Sequence, residues 1–170
     1  DAGHSGSEVS AIVSTLACAL GRATNAWSSV CRWNPGGEKV EGTFARQALP
    51  MLWDFAEANP FSDSTGNWDG AIDWVADVCD ANASVAGMSE QAVRSSATSH
   101  PLPTDSADLL ATDPPYYDAV PYADLSDYFY VWHRRALGRV HPDLFGDSLT
   151  PKEDECVVLA HRAAMYRNKN

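Results

Sequence analysis

The first hydrophobic pattern in the chain has the spacing of a helix. Apolar side chains recur every three or four positions from residue 8 to residue 22, and the pattern ends near Gly21. This spacing predicts an amphipathic helix with one buried face. The run is short, follows an acidic residue and is interrupted by Ser and Thr, so it is neither a signal peptide nor a membrane span. Its apolar positions are Val9, Ile12, Val13, Leu16 and Leu20.

Two more helices are predicted before residue 85. Residues 50–59 have an apolar side, and Pro60 stops a helix because it has no N–H to donate. The next helix begins at Asn67 or Asp69, since both residue types cap helix N-termini. Its apolar stripe consists of Trp68, Ile72, Val75 and Cys79.

Strand predictions depend on short apolar runs between turn residues. Residues 29–33 and 39–44 flank the turn-forming run 34–37, which predicts a hairpin. Residues 91–97 are a weaker strand candidate, within a stretch rich in Ser, Ala, Thr and Pro. Residues 106–112 are the best strand in the chain, because an apolar run leads directly into two prolines.

A fourth helix is predicted after that run. Asp124 or Ser126 can cap it, and it continues to about Leu137. A strand, a turn and a helix in this order are how open α/β sheets place ligands at the carboxyl ends of their strands. The apolar face of this helix consists of Leu125, Tyr128, Phe129, Trp132 and Ala136.

Length and composition fit one globular domain over residues 1–170, with 45% hydrophobic and 21% charged residues. The four cysteines are scattered, so we expect buried free thiols in a reducing cytoplasm rather than a disulfide framework. The histidines have no metal-ligand spacing, and we assign no metal site. Trp33, Trp53, Trp68 and Trp74 are expected to be packing residues.

The net charge of −11 argues against DNA binding by this chain alone, because duplex affinity draws on Lys and Arg that neutralise phosphates. One basic cluster stands out near the end of the fourth predicted helix. It either complements the C-terminal dipole of that helix, which is the favoured interpretation, or contacts phosphates. The cluster consists of His133, Arg134, Arg135, Arg139 and His141.

The four residues at 113–116 have a specific chemical logic. Pro114 and Pro115 each fix their own φ and hold the preceding residue extended. The Asp113 carboxylate and the Pro114 carbonyl are therefore two fixed acceptors, and Tyr116 supplies a ring face. Together they can grip a planar amine, with both N–H groups bonded and the ring covered.

This Asp-Pro-Pro-Tyr motif resembles that of the amino-methyltransferases that methylate an exocyclic nitrogen of a DNA base. The run TDPPYYDAVPYADLSD at 112–127 is similar to large bacterial and archaeal adenine-specific DNA methylases, the group carrying the DUF1156 domain. The runs CRW at 31–33, GEKV at 37–40 and RQALPMLWDFAEANPF at 46–61 resemble the same family. Most of residues 25–155 matches in order.

The resemblance implies an α/β fold: a partial Rossmann-like methyltransferase domain, rich in helices, with the motif at the end of a strand. It implies S-adenosylmethionine as cofactor, with Ala97 and Thr98 bordering its adenine end, and Asp113, Pro114, Pro115 and Tyr116 as catalytic residues. The flipped adenine stacks on Tyr116, as a base must leave the duplex to be methylated. The further substrate-binding candidates are Tyr117, Tyr122, Arg134 and Arg135.

The glycine-rich loop that holds the methionine end of the cofactor in this family is absent, since no strand is followed by G-x-G. We therefore expect an internal piece or a truncated relative of a longer enzyme, completed by the missing methyltransferase segments or by a partner chain, and acting on DNA in the cytoplasm without a membrane. The alternative is a non-catalytic remnant or interaction module that binds no cofactor. Methylation of cytosine N4 or of RNA also stays open.

Overall fold

The computed structural model describes residue 3 and residues 5–84, 92–96, 99, 101–153 and 155–157. Helix α1 contacts both α2 and α3, and α3 contacts the short helix α4. A two-stranded antiparallel hairpin lies between α1 and α2 in the chain. The elements are α1 (Gly6–Thr24), β1 (Arg32–Asn34), β2 (Lys39–Glu41), α2 (Trp68–Ala83), α3 (Tyr122–Leu137) and α4 (Pro142–Phe145).

Helix α1 begins with a capping box. The Glu8 N–H donates to Ser5 Oγ at 3.3 Å, and the Ser5 N–H donates to Glu8 Oε2 at 2.7 Å. The hydrogen bond from the Ser5 backbone lowers the pKa of the Glu8 carboxyl. The predicted apolar face is only partly correct, because Val9, Ile12 and Leu16 are exposed. The residues that α1 buries instead are small: Ala17, Ala19, Ala23 and Thr24.

Small residues on α1 allow its neighbours to approach closely. A Cβ on Gly21 would lie 2.6 Å from His133 Nε2, so the His133 ring of α3 packs directly on the backbone of α1 here. Helix α1 ends at Thr24 and not near Gly21, where the sequence predicted its end. Burial lowers the pKa of His133. Further along the same contact, the Tyr128 hydroxyl donates to the Thr24 carbonyl at 2.8 Å.

The hairpin prediction is confirmed, with shorter strands than the pattern suggested. Arg32 pairs with Glu41 and Asn34 with Lys39. Asn34 also organises the turn, since its Oδ1 accepts hydrogen bonds from the backbone N–H groups of Gly36 and Gly37 at 3.0 and 3.1 Å. The Arg32 guanidinium and the Glu41 carboxylate form an ion pair across the two strands.

Helix α2 confirms the first of the two predicted caps. Asn67 Oδ1 accepts a hydrogen bond from the Gly70 N–H at 2.8 Å, as an N-cap does. The buried cluster between α1 and α2 consists of Ala19, Ala23 and Ala71. Trp27, Trp68, Ile72 and Val75 pack against that cluster, and together these seven residues are called the helical core below.

The predicted helix over residues 50–59 is wrong. This segment runs along the hairpin instead: the Ala56 N–H donates to the Cys31 carbonyl at 3.0 Å, and Phe55 bridges to Arg32. Pairing with the hairpin uses backbone groups that a helix would have bonded internally. Met51 and Trp53 are consequently 91% and 92% exposed.

The predicted strand over residues 106–112 is also wrong for the described structure. Residues 101–119 contain no helix or strand, and all of them are exposed. A strand needs a neighbour for its backbone N–H and C=O groups, and neither β1 nor β2 pairs with this run. Of the weaker strand candidate, residues 92–96 are not a strand, and Gln91 and Ala97 lie outside the described residues.

Helix α3 starts earlier than predicted and ends where predicted. It begins at Tyr122 after Pro121, without a side-chain cap, and ends at Leu137. Its predicted apolar face holds for Tyr128 and Phe129, which are half-buried and pack on Phe44 with ring centroids 5.3 and 5.4 Å apart. Trp132, which was assigned to the same face, is 39% exposed.

Several expected packing residues are exposed. Among the tryptophans, Trp68 packs on the helical core, but Trp33, Trp53 and Trp74 are exposed. All four cysteines are free, yet only Cys31 is buried. The other three cysteines correct the expectation of buried thiols: Cys18, Cys79 and Cys156.

The described residues are therefore rich in helices, with two short antiparallel strands and no parallel sheet among them. A Rossmann-like fold needs a parallel sheet, so it stays a prediction that would require strands beyond those described here. No helix in the described ranges is long and apolar enough to cross a membrane.

Candidate functional site

The motif at 113–116 lies in an exposed, irregular segment. All nineteen residues of the segment 101–119, called the motif segment below, are exposed. Asp113 and Tyr116 therefore face solvent rather than the end of a strand, which corrects the predicted placement. The two prolines still hold the backbone extended on their own, because their effect on φ does not depend on neighbouring elements.

The motif is tied to α3 at its C-terminal side. The Tyr116 N–H donates to the Tyr122 hydroxyl at 3.3 Å, and Tyr122 is the first residue of α3. Val120 and Pro121, which lie between them, are buried. Tyr122 was predicted as a substrate contact, and the structure gives it a positioning role as well: it holds the backbone of Tyr116.

A polar network fixes the start of α3, where the motif is attached. Asp127 accepts hydrogen bonds from Lys152 Nζ at 2.6 Å and from the Thr150 hydroxyl and N–H at 2.6 and 2.9 Å. Burial raises the pKa of Asp127, but the hydrogen bonds from Lys152 and Thr150 outweigh it and hold the pKa below its usual value. Glu155 accepts from the Ala123 N–H at 2.9 Å, which bonds a terminal N–H of the helix.

Of the other predicted site residues, the two tyrosines lie next to the motif and the two arginines do not. Tyr117 is exposed in the motif segment. Arg134 and Arg135 are exposed in the last turn of α3, twelve or more residues from Tyr122, which is about 18 Å along a helix. The Arg135 guanidinium lies 5.7 Å from the centroid of the Trp132 ring. Ala97 and Thr98, the cofactor candidates, lie outside the described residues.

The structure contains two clefts that the sequence did not predict. The first, about 660 Å³ in volume, lies between the end of α1, the hairpin and the start of α2, and is called the hairpin cleft below. The second, about 700 Å³, lies between α3 and the segment that follows the hairpin, with Phe44, Arg46 and Leu125 in its wall. No residue of the motif segment lines either cleft.

A sequence signal for the hairpin cleft exists in retrospect. Gly66 and Gly70 flank the Asn67 cap, and both line the cleft. Glycines around a helix start commonly mark a close approach of backbone to a neighbour or a ligand. Gly66 has a φ of +90°, a conformation that other residues rarely adopt.

Within the described ranges, no group of three or more His, Cys, Asp or Glu side chains could hold a metal ion. Comparison of the chain with protein-family models, with curated proteins and with solved structures finds no match.

Proposed function

We propose that this chain is the segment of an S-adenosylmethionine-dependent DNA adenine-N6 methyltransferase that binds the target base. The Asp-Pro-Pro-Tyr run at 113–116 carries this proposal. Its supports are the stiffness that two consecutive prolines impose, the accessibility of Asp113 and Tyr116, and the hydrogen bond that holds the Tyr116 backbone to α3.

The chemistry assigned to the motif follows from the adenine amine. The N6 lone pair is delocalised into the ring, which makes the nitrogen a poor nucleophile. The Asp113 carboxylate and the Pro114 carbonyl accept hydrogen bonds from the two N6–H groups and favour a pyramidal nitrogen with a localised lone pair. Such contacts tighten as the methyl group is transferred, which is the condition for accelerating the step. Tyr116 stacks on the flipped base.

Exposed leucines before the motif support the proposal that other segments complete the site. Leu109 and Leu110 are 84% and 72% exposed, although they form the most apolar part of the motif segment. Paired with further strands, this run would be buried and would bring Asp113 to the edge of a sheet. Those strands, in the same protein or in a partner chain, would also supply the glycine-rich loop and the cofactor site.

The net charge of the chain also supports the proposal that other segments complete the enzyme. A chain with a net charge of −11 gains little from contact with phosphates. DNA affinity in the complete enzyme would come mainly from the completing segments, with Arg134 and Arg135 as local contributions. The free cysteines fit a reducing cytoplasm, where the DNA substrate is also found.

The proposal is tested in the complete enzyme by methyl transfer from tritiated S-adenosylmethionine. Asp113→Ala removes one preorganised acceptor and should lower incorporation by about 10²–10³-fold, by analogy with oxyanion-hole deletions. Asp108→Ala removes an exposed carboxylate from the same segment and is the matched control, expected to leave incorporation unchanged. Near-normal incorporation with Asp113→Ala would overturn the assigned mechanism.

Tyr116 gives a second, smaller readout. Tyr116→Ala should weaken capture of the flipped base by about 1–3 kcal/mol, the range for base stacking. Tyr116→Phe should be tolerated, because it keeps both the ring face and the backbone N–H that bonds Tyr122. Thermal melts should be unchanged for all three motif variants, since these side chains are exposed.

The second candidate function is a non-catalytic remnant or interaction module of methylase origin. Its specific support is that Asp113 and Tyr116 line neither of the two clefts. Calorimetry of the 170-residue chain with S-adenosylmethionine should show weak binding or none, because half of the cofactor has no cradle. A dissociation constant in the low micromolar range would contradict both that expectation and the non-catalytic candidate.

A further inference from the structure

The hairpin cleft contains a cation in a defined orientation. Arg22, in the last turn of α1, has its guanidinium carbon 4.0 Å from the centroid of the Trp74 ring. Stacking on an indole holds the planar guanidinium in place and leaves the N–H groups at its edge available for an acceptor. Both residues line the cleft. An arginine held in this way is prepared to bind a carboxylate or a phosphate.

The lining of the cleft is less acidic than the chain as a whole. The sequence holds 23 Asp and Glu against 12 Lys and Arg, yet among the described residues Arg22 is the only charged one that lines the cleft. Asp69 and Asp73 precede the lining residues Gly70 and Trp74 in α2, but both acids are exposed and do not line the cleft. An anion in the cleft therefore meets one cation and no lining carboxylate.

Two asparagines and several glycines complete the lining of the cleft. Asn25 and Asn67 line it, and Asn67 caps α2, whose N-terminus carries a partial positive charge and has Asp69 in its first turn. Gly42 and Gly66 lie close to neighbouring side chains. A Cβ on Gly66 would lie 3.0 Å from the Ala26 Cβ, and one on Gly42 would lie 2.3 Å from Asn25 Nδ2.

The size and the aromatic walls indicate what accompanies the anionic group. A volume of about 660 Å³ is in the usual range of small-molecule sites. Trp74 of α2 and Phe129 of α3 both line the cleft, and Arg22 covers one face of the Trp74 ring. Aromatic faces next to a cation suit a flat ring that carries a negative group a few ångströms away.

We propose that the hairpin cleft is a binding site for a small organic anion with a flat ring, of the size of a nucleoside monophosphate. Arg22 binds the anionic group, and the aromatic walls contact the ring. This site is separate from the motif segment, which does not line the cleft, and it does not rest on the methyltransferase proposal. Either proposal can fail without the other.

The experiment is calorimetric titration of the 170-residue chain with adenosine 5′-monophosphate as the probe. Arg22→Gln should weaken binding roughly tenfold or more, the loss expected for a charge-assisted hydrogen bond. Arg139→Gln makes the same change of charge at an exposed arginine outside the cleft and should leave the affinity unchanged. Adenosine, which lacks the phosphate, and ribose 5-phosphate, which lacks the ring, should both bind more weakly than the probe.

The indole N–H signal of Trp74 provides a readout that does not depend on the arginine variants. Comparison of spectra of the native chain and Trp74→Phe identifies that signal, and it should shift as the probe binds. Three results would overturn the proposal: no heat and no shift up to about 10 mM probe, equal weakening by Arg22→Gln and Arg139→Gln, or binding that shifts other indoles but leaves Trp74 unchanged.

Discussion

Trp27 and Trp53 show how differently two regions of this chain treat the same side chain. Trp27 packs on the helical core, 6.0 Å from Trp68 between ring centroids, and its indole N–H donates to the Gly66 carbonyl at 2.7 Å. Trp53 lies in the segment that follows the hairpin and is 92% exposed. The helical core provides both apolar packing and a hydrogen-bond acceptor for the Trp27 indole. The segment after the hairpin provides neither for Trp53 among the described residues.

The motif segment extends this contrast. It holds apolar leucines and the chemically most specific residues of the chain, yet none of its nineteen residues is buried. Exposed apolar runs of this kind commonly mark surfaces that contact another segment or protein. The helical core contributes buried packing to the stability of this chain, whereas the motif segment contributes none.

The largest expected effect comes from exchanging the two tryptophans for alanine. Trp27→Ala should lower the free energy of unfolding by about 3 kcal/mol, because it removes packing from the core. Trp53→Ala should change it by less than about 0.5 kcal/mol, as for most surface sites. Urea denaturation of both variants measures the difference. Equal losses would mean that the segment after the hairpin is packed in solution, which would break the comparison.

An intermediate effect concerns Asp127 and is dependent on pH. Its pKa is held below the usual value in the folded state, so its stabilisation is present above the unfolded pKa and is lost as the pH falls through the folded pKa. Asp127→Asn should cost about 1.5–3 kcal/mol at pH 7, the range for hydrogen bonds to charged groups.

Urea midpoints measured from pH 7 downwards test this dependence. The native chain should lose stability below about pH 4, near the ordinary Asp pKa, and the curve of Asp127→Asn should converge on it. Asp54→Asn, at an exposed position, serves as the control and should track the native chain at every pH. A constant gap between native and Asp127→Asn would show that the carboxylate charge contributes nothing.

The smallest effect on the isolated chain is expected in the motif segment. Leu109→Ser and Leu110→Ser together should leave its melting temperature nearly unchanged, with less than about 0.5 kcal/mol lost per site. The same pair should destabilise the complete enzyme, where the proposed strands would cover both leucines. Leu137→Ser, at a buried position of α3, should destabilise both forms. If the pair destabilised the isolated chain as well, the motif segment would already be packed in it.

The motif and the hairpin cleft differ in how far the sequence predicts them. The motif could be read from sequence because prolines act on their own backbone and on one neighbour. The hairpin cleft as a whole could not, despite the glycines around Asn67, since Arg22 and Trp74 come from two helices whose approach depends on the packing of α1 against α2. The expectation that Trp132 is buried failed for a related reason: helical spacing identifies a face, and only a packed neighbour can cover it.

The sequence by itself determined the features that depend on interactions a few residues apart. The Ser5–Glu8 capping box, the Asn67 cap and the Asn34 turn each join groups within three residues of one another, so the same bonds are available wherever the chain folds. Tertiary structure decided everything that needs a distant partner, such as the bond from Tyr128 to Thr24 and the loss of the predicted strand at 106–112. Burial and strand pairing are properties of two surfaces, and one stretch of sequence specifies only one of them.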